Sequence, residues 1–191
     1  MLERIAELDT QLLIYLNNLG SDTWDHFWLT YTEMPTHIPL MLLVGFLLFK
    51  TLGKKKIFLT LLFIGVMVTL TDQFTNLAKH TFQRPRPCRV PELEGAIRAI
   101  AKYCGRFGYF SGHSSNSMAL AVFMGLFLKP KYPKFFIFLI IWAFGMGYSR
   151  VYIGVHYPGD LLTGYSVGTL IALLFHVLFN KVATKLKLTD A

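Results

Sequence analysis

Charge is scarce in this chain. Asp, Glu, Lys and Arg make up 16% of its 191 residues, against 53% hydrophobic and 15% aromatic, a balance that excludes an ordinary water-soluble domain and belongs to a small polytopic membrane protein of one domain. Metal-ligand spacing is absent too: His26, His37, His80 and His176 stand at no ligating interval from a second His, Cys or carboxylate, so neither a metal nor another cofactor is expected. The net charge is +8, but the cations fall between apolar spans instead of along one polar face, which argues against nucleic acid as a partner. No apolar signal-peptide core is evident, because Glu3, Glu7, Asp9 and Gln11 interrupt it; the first true span is expected to direct insertion. Cysteine is limited to Cys88 and Cys104.

What the chain does have is apolar runs. Five spans are predicted, at about 35–49, 56–78, 114–128, 135–155 and 161–180, and a 21-residue helix such as the fourth reaches about 32 Å, enough for a bilayer core. Before them, Ile5, Leu8, Leu12, Tyr15, Leu16 and Leu19 recur at helical spacing and Trp24, Phe27, Trp28 and Tyr31 cluster, so residues 1–34 read as an interfacial helical segment. The expected fold is an all-α polytopic membrane helix bundle of about five to six transmembrane helices plus this N-terminal interfacial helix. Residues 1–191 form one domain, in which 79–113 is an extramembrane active-site loop and lid.

The connectors alternate between two sides. Residues 50–55, 129–134 and the tail from 181 share one side; 79–113, 156–160 and the N-terminal segment share the other. Short lysine loops mark the first side as cytoplasmic, so the second faces the periplasm or exterior of a plasma (inner) membrane. Cys88 and Cys104 both fall in 79–113, which fits a disulfide in an oxidising compartment, the alternative being two free buried thiols. Between them, 91–102 reads as a short helix, with Pro91 and two acidic residues in the first turn, Arg98 and Lys102 near the end, and Leu93, Ile97 and Ile100 on one face.

Three polar clusters interrupt the apolar sequence, and the parity of the spans brings all of them to the outer side: Lys79-x6-Arg86-Pro87, Ser111-Gly112-His113, and Ser149-Arg150-x5-His156-x3-Asp160. Lys79, Arg86 and Arg150 can hold phosphate oxygens, and Ser111, Gly112 and His113 open a helix whose N-terminus favours an anion. Asp160, four residues after His156, can accept the imidazole's second N–H and also cap the last helix, using different oxygens for the two tasks. Arg84 is expected to meet lipid headgroups or shape the loop, with Arg98 and Lys102 as further headgroup contacts. Asp72, seven residues before Lys79, shares its helical face.

These clusters resemble the signature of the type 2 phosphatidic acid phosphatase superfamily over about 80 residues. One position departs: Phe110 stands where that family usually has Pro before Ser-Gly-His, which bears on the local turn and removes no catalytic group. The resemblance implies His156 as nucleophile through a phosphohistidine, Asp160 as its orienting partner and His113 as general acid, in a metal-independent phosphatase. Its expected partners are the bilayer and a membrane lipid phosphate, with undecaprenyl diphosphate first, and lipid A phosphate or phosphatidylglycerol phosphate as alternatives. A lipid-linked phosphotransferase and a non-enzymatic lipid-phosphate binder are the rival classes; oligomeric state is left open.

Overall fold

The computed structural model describes residues 2–188, and among them it has six α-helices: α1 (Leu2–Asn18), α2 (Asp22–Tyr31), α3 (Ile38–Phe82), α4 (Gly112–Leu128), α5 (Pro133–Tyr152) and α6 (Pro158–Lys185). The boundaries follow local chemistry. Pro133 and Pro158 occupy first-turn positions, where a missing N–H costs nothing. The long helix α3 stops at Gln83, which turns left-handed at φ 47° just before Pro85 and Pro87.

The two apolar runs predicted at 35–49 and 56–78 are joined within α3, with Gly53 at φ 72° and ψ 174° between them, a conformation open to glycine. Were α3 straight, Ile38 and Asp72 would stand about 51 Å apart at 1.5 Å per residue. Both line one cavity, together with Met41 and Lys79, so the limbs on either side of Gly53 fold back on each other. Among the described residues three stretches are long and apolar enough to cross a membrane: Met34–Phe82, which contains both limbs, Pro133–Tyr152 and Pro158–Lys185.

At the centre lies α4, packed against α3, α5 and α6, with Phe123 and Leu128 fully enclosed. Gly164 and Gly168 let α6 close on it: a Cβ on Gly164 would sit 2.7 Å from the Ser111 carbonyl oxygen, and one on Gly168 would overlap that of Ser115. Outer positions such as Leu42, Phe58, Leu62, Leu170 and Leu174 are exposed apolar side chains, as a lipid-facing surface requires.

The N-terminal helices sit across one end of this bundle. Ile5, Leu8, Leu12 and Tyr15 form an outward apolar stripe on α1, which Leu19 continues just beyond its end, while its inner side presents Asp9, Leu13 and Asn17. Asn17 is fully buried; its amide donates to the carbonyls of Arg98, Val151 and Tyr152 at 2.8–3.1 Å and its oxygen accepts from the Arg98 N–H at 2.6 Å.

The predicted helix over 91–102 is not formed. Only Pro91–Leu93 makes a 3₁₀ turn; Gly95 then adopts φ 77°, and the Arg98 backbone is committed to Asn17 instead of a helical ladder. Cys88 and Cys104 are joined by a disulfide, Cα to Cα 6.4 Å. Arg98, expected at headgroups, is instead held by Asp25 and Asp22 at 2.8–2.9 Å; the two carboxylates raise its guanidinium pKa, led by the hydrogen bond to Asp25. Lys102 is exposed, 3.6 Å from Glu33.

Candidate active site

His156 lies in the five-residue turn between α5 and α6, which Gly154 opens at φ 78°. Its ring is 2% exposed. Nδ1 approaches Asp160 Oδ2 at 3.3 Å, and since the carboxylate accepts, Nδ1 carries the proton and the Nε2 lone pair is left for chemistry. The Tyr157 N–H donates to the same Oδ2 at 3.0 Å. The predicted division of labour between the two oxygens is therefore corrected: cap and imidazole share Oδ2 because Arg84 takes Oδ1, at 2.8 Å. Burial lowers the His156 pKa to about 4, with Arg86 and Arg150 pressing the same way and Asp160 opposing them, so the ring is neutral at pH 7.

Arg84, expected at headgroups or shaping the loop, makes two ion pairs. It bridges Asp160 to Asp9 of α1, donating to Asp9 at 2.7 Å, and lies 3.9 Å over the Tyr157 ring. Asp9 in turn accepts from the Gly159 N–H at 2.7 Å. Two carboxylates raise the Arg84 pKa against the opposing effect of its burial, so this guanidinium remains a fixed cation.

The second cluster is tied to the third through backbone. The Ser111 N–H donates to the Asp160 carbonyl at 3.1 Å, and Ser111 Oγ caps α4 by accepting from the Ser114 N–H at 3.3 Å. Phe110 is buried beside Phe74 and leaves that link in place. Gly112 opens α4 against Lys79, whose Nζ is 4.0 Å from where a Gly112 Cβ would be. His113 follows, near the backbone of Thr32, while Thr32 Oγ1 accepts from Arg150 at 2.7 Å. Thr32 thus holds Arg150 beside His113.

Arg86 completes the group. Its Nε donates to the Phe107 carbonyl at 3.1 Å, and its side chain lies along Gly105 and Gly108. A Cβ on Gly108 would sit 3.3 Å from Arg86 Cγ, 3.3 Å from Asp160 Oδ2 and 3.6 Å from His156 Nδ1, so a side chain there would press on all three. Burial lowers the Arg86 pKa, and Lys79, Arg86 and Arg150 lie within one another's fields. Asp160, whose field acts on Arg86, is already engaged by Arg84 and His156, and Asp72 acts on Lys79 from along α3. Such convergent cations favour an anion between them.

Beside Lys79, Gly112 and His113 opens a cavity of about 650 Å³ that continues past Met41, Leu120 and Trp142, a mostly apolar stretch that also includes His37. The structure brings together Lys79, Arg86, Ser111, Gly112, His113, Arg150, His156 and Asp160, with Arg84 added behind Asp160. Arg98 and Lys102 lie elsewhere in the loop. Sequence reading missed Asp9, Thr32 and Gly108, none of which stands in a motif; the nearest signal was an acidic residue inside an otherwise apolar-faced helix.

A neutral imidazole, a second histidine and converging cations, of which Lys79 and His113 line the cavity, are groups suited to binding and attacking a phosphate. Comparison with known proteins gives the family: the model of the PAP2 superfamily matches residues 38–183, and the chain belongs to that superfamily of membrane phosphatases. It is 30% identical to the lipid A 4'-phosphatase of Bacteroides thetaiotaomicron, covering 98% of this chain and 84% of that protein. It is 29% identical to the lipid A 1-phosphatase of Rhizobium johnstonii, covering 91% and 71%. A crystal structure of a transmembrane PAP2-type phosphatidylglycerolphosphate phosphatase from Bacillus subtilis shares the fold, with a TM-score of 0.71, 23% identity, and coverage of 94% of this chain and 88% of that one.

Proposed function

We propose that this membrane lipid phosphatase acts on lipid A, removing its 4'-phosphate at the outer face of the plasma membrane. The observation that carries this reading is the likeness to a lipid A 4'-phosphatase along 98% of the chain. It displaces undecaprenyl diphosphate as the favoured substrate. In this reading the chain crosses the bilayer five times, the two limbs of α3 counting separately, and the disulfide-bearing loop faces an oxidising compartment.

Lys79, Arg86, Arg150 and the first-turn amides of α4 would hold the phosphate oxygens, and acyl chains would follow the mostly apolar stretch of the cavity. Nε2 of neutral His156 then attacks phosphorus, forming an N–P bond as the ester P–O bond breaks. Asp160 stabilises the positive ring. A bound phosphate dianion favours the protonated form of His113, which gives its proton to the departing sugar oxygen. In the second half a water surrenders a proton to His113 while its oxygen attacks phosphorus; the N–P bond breaks and inorganic phosphate leaves.

The test is purified protein in detergent with EDTA and bis-phosphorylated lipid A. Inorganic phosphate should appear, with a monophosphorylated lipid that tandem mass spectrometry shows to lack the 4'-phosphate. Replacing the nucleophile in His156→Ala should cut turnover on the order of 10⁴-fold. Lipid A left intact while undecaprenyl diphosphate or phosphatidylglycerol phosphate is consumed would overturn the substrate assignment. Activity lost in EDTA and restored by magnesium would overturn the metal-independent mechanism.

A further inference from the structure

The cavity carries a polar pair that the phosphate chemistry does not use, Asp72 with Asn116. Asp72 stands in an apolar stretch of α3, where an ionised side chain is expensive and marks function more often than packing. Its Oδ1 accepts from Asn116 Nδ2 at 2.6 Å, and both residues line the cavity with Lys79 and His113. Asn116 Oδ1 is buried and has no hydrogen-bond partner, a cost that a ligand donor would remove on a small rotation of the amide toward the cavity.

Position along the helices sets the reach. Asp72 is two turns, about 10.5 Å, from Lys79 along α3, and Asn116 is about 4.5 Å from His113 along α4. The pair is therefore about one sugar ring away from the phosphate, on the cavity wall. What it offers is acceptors: the Asn116 carbonyl oxygen and the carboxylate of Asp72. A second phosphate there would be repelled, and a plain prenyl or acyl chain has nothing to donate. Hydroxyl and amide N–H groups do, and they bond to a carboxylate with charge assistance.

We propose that Asp72 and Asn116 form a headgroup subsite that accepts hydrogen bonds from hydroxyl or amide groups next to the scissile phosphate, selecting a phosphorylated glycolipid over a lipid phosphate without such donors. This rests on the lipid A reading and adds the residues that make the choice. Purified wild type, Asp72→Leu, Asn116→Leu and the conservative Asp72→Asn are compared on lipid A and on phosphatidic acid in the same detergent. The specificity ratio, kcat/KM on lipid A over kcat/KM on phosphatidic acid, should fall about tenfold or more in both leucine variants, through KM more than kcat, and less in Asp72→Asn. A leucine suits an apolar span, and Asn116→Leu reads the same subsite from another helix if Asp72→Leu does not fold. A ratio unchanged in both variants, or an equal loss on both substrates, overturns the subsite. Wild type that spares lipid A altogether overturns the substrate reading instead.

Discussion

Asp160 takes three hydrogen bonds on two oxygens, from His156, the Tyr157 N–H and Arg84, and its side chain is fully buried. Arg84→Met would leave that carboxylate without its ion pair and free to rotate, which misplaces the imidazole it orients. Because a displacement of about 1 Å can cost about 10²-fold, kcat should fall between ten- and a hundredfold with a smaller change in KM. Arg84→Lys should recover part of it, and Asp9→Asn should show a milder loss. Phosphate-release kinetics decide; unaltered kcat in Arg84→Met would remove Arg84 from the positioning of Asp160. His156 makes a second prediction. Its folded pKa of about 4 lies below the ordinary 6.5, so between those values the unfolded chain binds more protons, and the stability this group contributes is complete above pH 6.5 and is lost as pH falls toward 4. Thermal midpoints of wild type should fall relative to His156→Asn across that window; a constant difference would contradict a neutral, buried ring. The motif residues were legible because polar side chains stand out in an apolar sequence. Asp9 and Thr32 were not, since their partners lie 75 residues away in Arg84 and 118 away in Arg150, and no local pattern encodes such pairing.

At the scale of elements, hydropathy located the bundle well. The two limbs of α3 showed as apolar runs separated by Lys54, Lys55 and Lys56, and α4 began where Ser111 and Gly112 said it should. The 91–102 segment misled because proline, acidic first turn and basic last turn are local preferences worth a few tenths to about 1 kcal/mol each, whereas Asn17 claims the Arg98 amide and carbonyl from outside. The disulfide across this segment ties elements to chemistry. Cys88 follows Arg86-Pro87, and Cys104 precedes Gly105 and Gly108, the glycines against which Arg86 rests. Closing a loop between cysteines 16 positions apart in sequence stabilises by about 3 kcal/mol in the chain-entropy model. Cys88→Ser with Cys104→Ser should therefore lower the thermal midpoint by several degrees and reduce phosphate release, as should reductant on wild type. Full activity and an unshifted midpoint in the double variant would show that the lid holds its shape without the bond.

For the whole molecule, the site and the membrane meet at one end of the bundle. Outward apolar side chains on α3 and α6 face lipid, α1 lays its apolar stripe beyond the bundle while sending Asp9 inward to Arg84, and the cavity runs from Lys79 and His113 toward Leu120. A phosphorylated lipid can then place its phosphate among the cations without its chains leaving an apolar environment, which avoids about 0.8 kcal/mol per exposed methylene. Leu120→Trp tests whether the chains take this route. The larger ring would fill space between α4, the first limb of α3 and α5, at a distance from His156 and the three cations. Long-chain lipid phosphates should suffer from the lost volume, whereas a short, water-soluble phosphate monoester needs only the part beside Lys79 and His113. The ratio of kcat/KM for long over short substrates should drop about tenfold or more, the scale on which an apolar pocket discriminates by a few methylenes. An equal loss on both would locate the damage in the catalytic group itself, and no loss on either would mean that the chains lie outside this cavity, along the exposed face of α3 or α6.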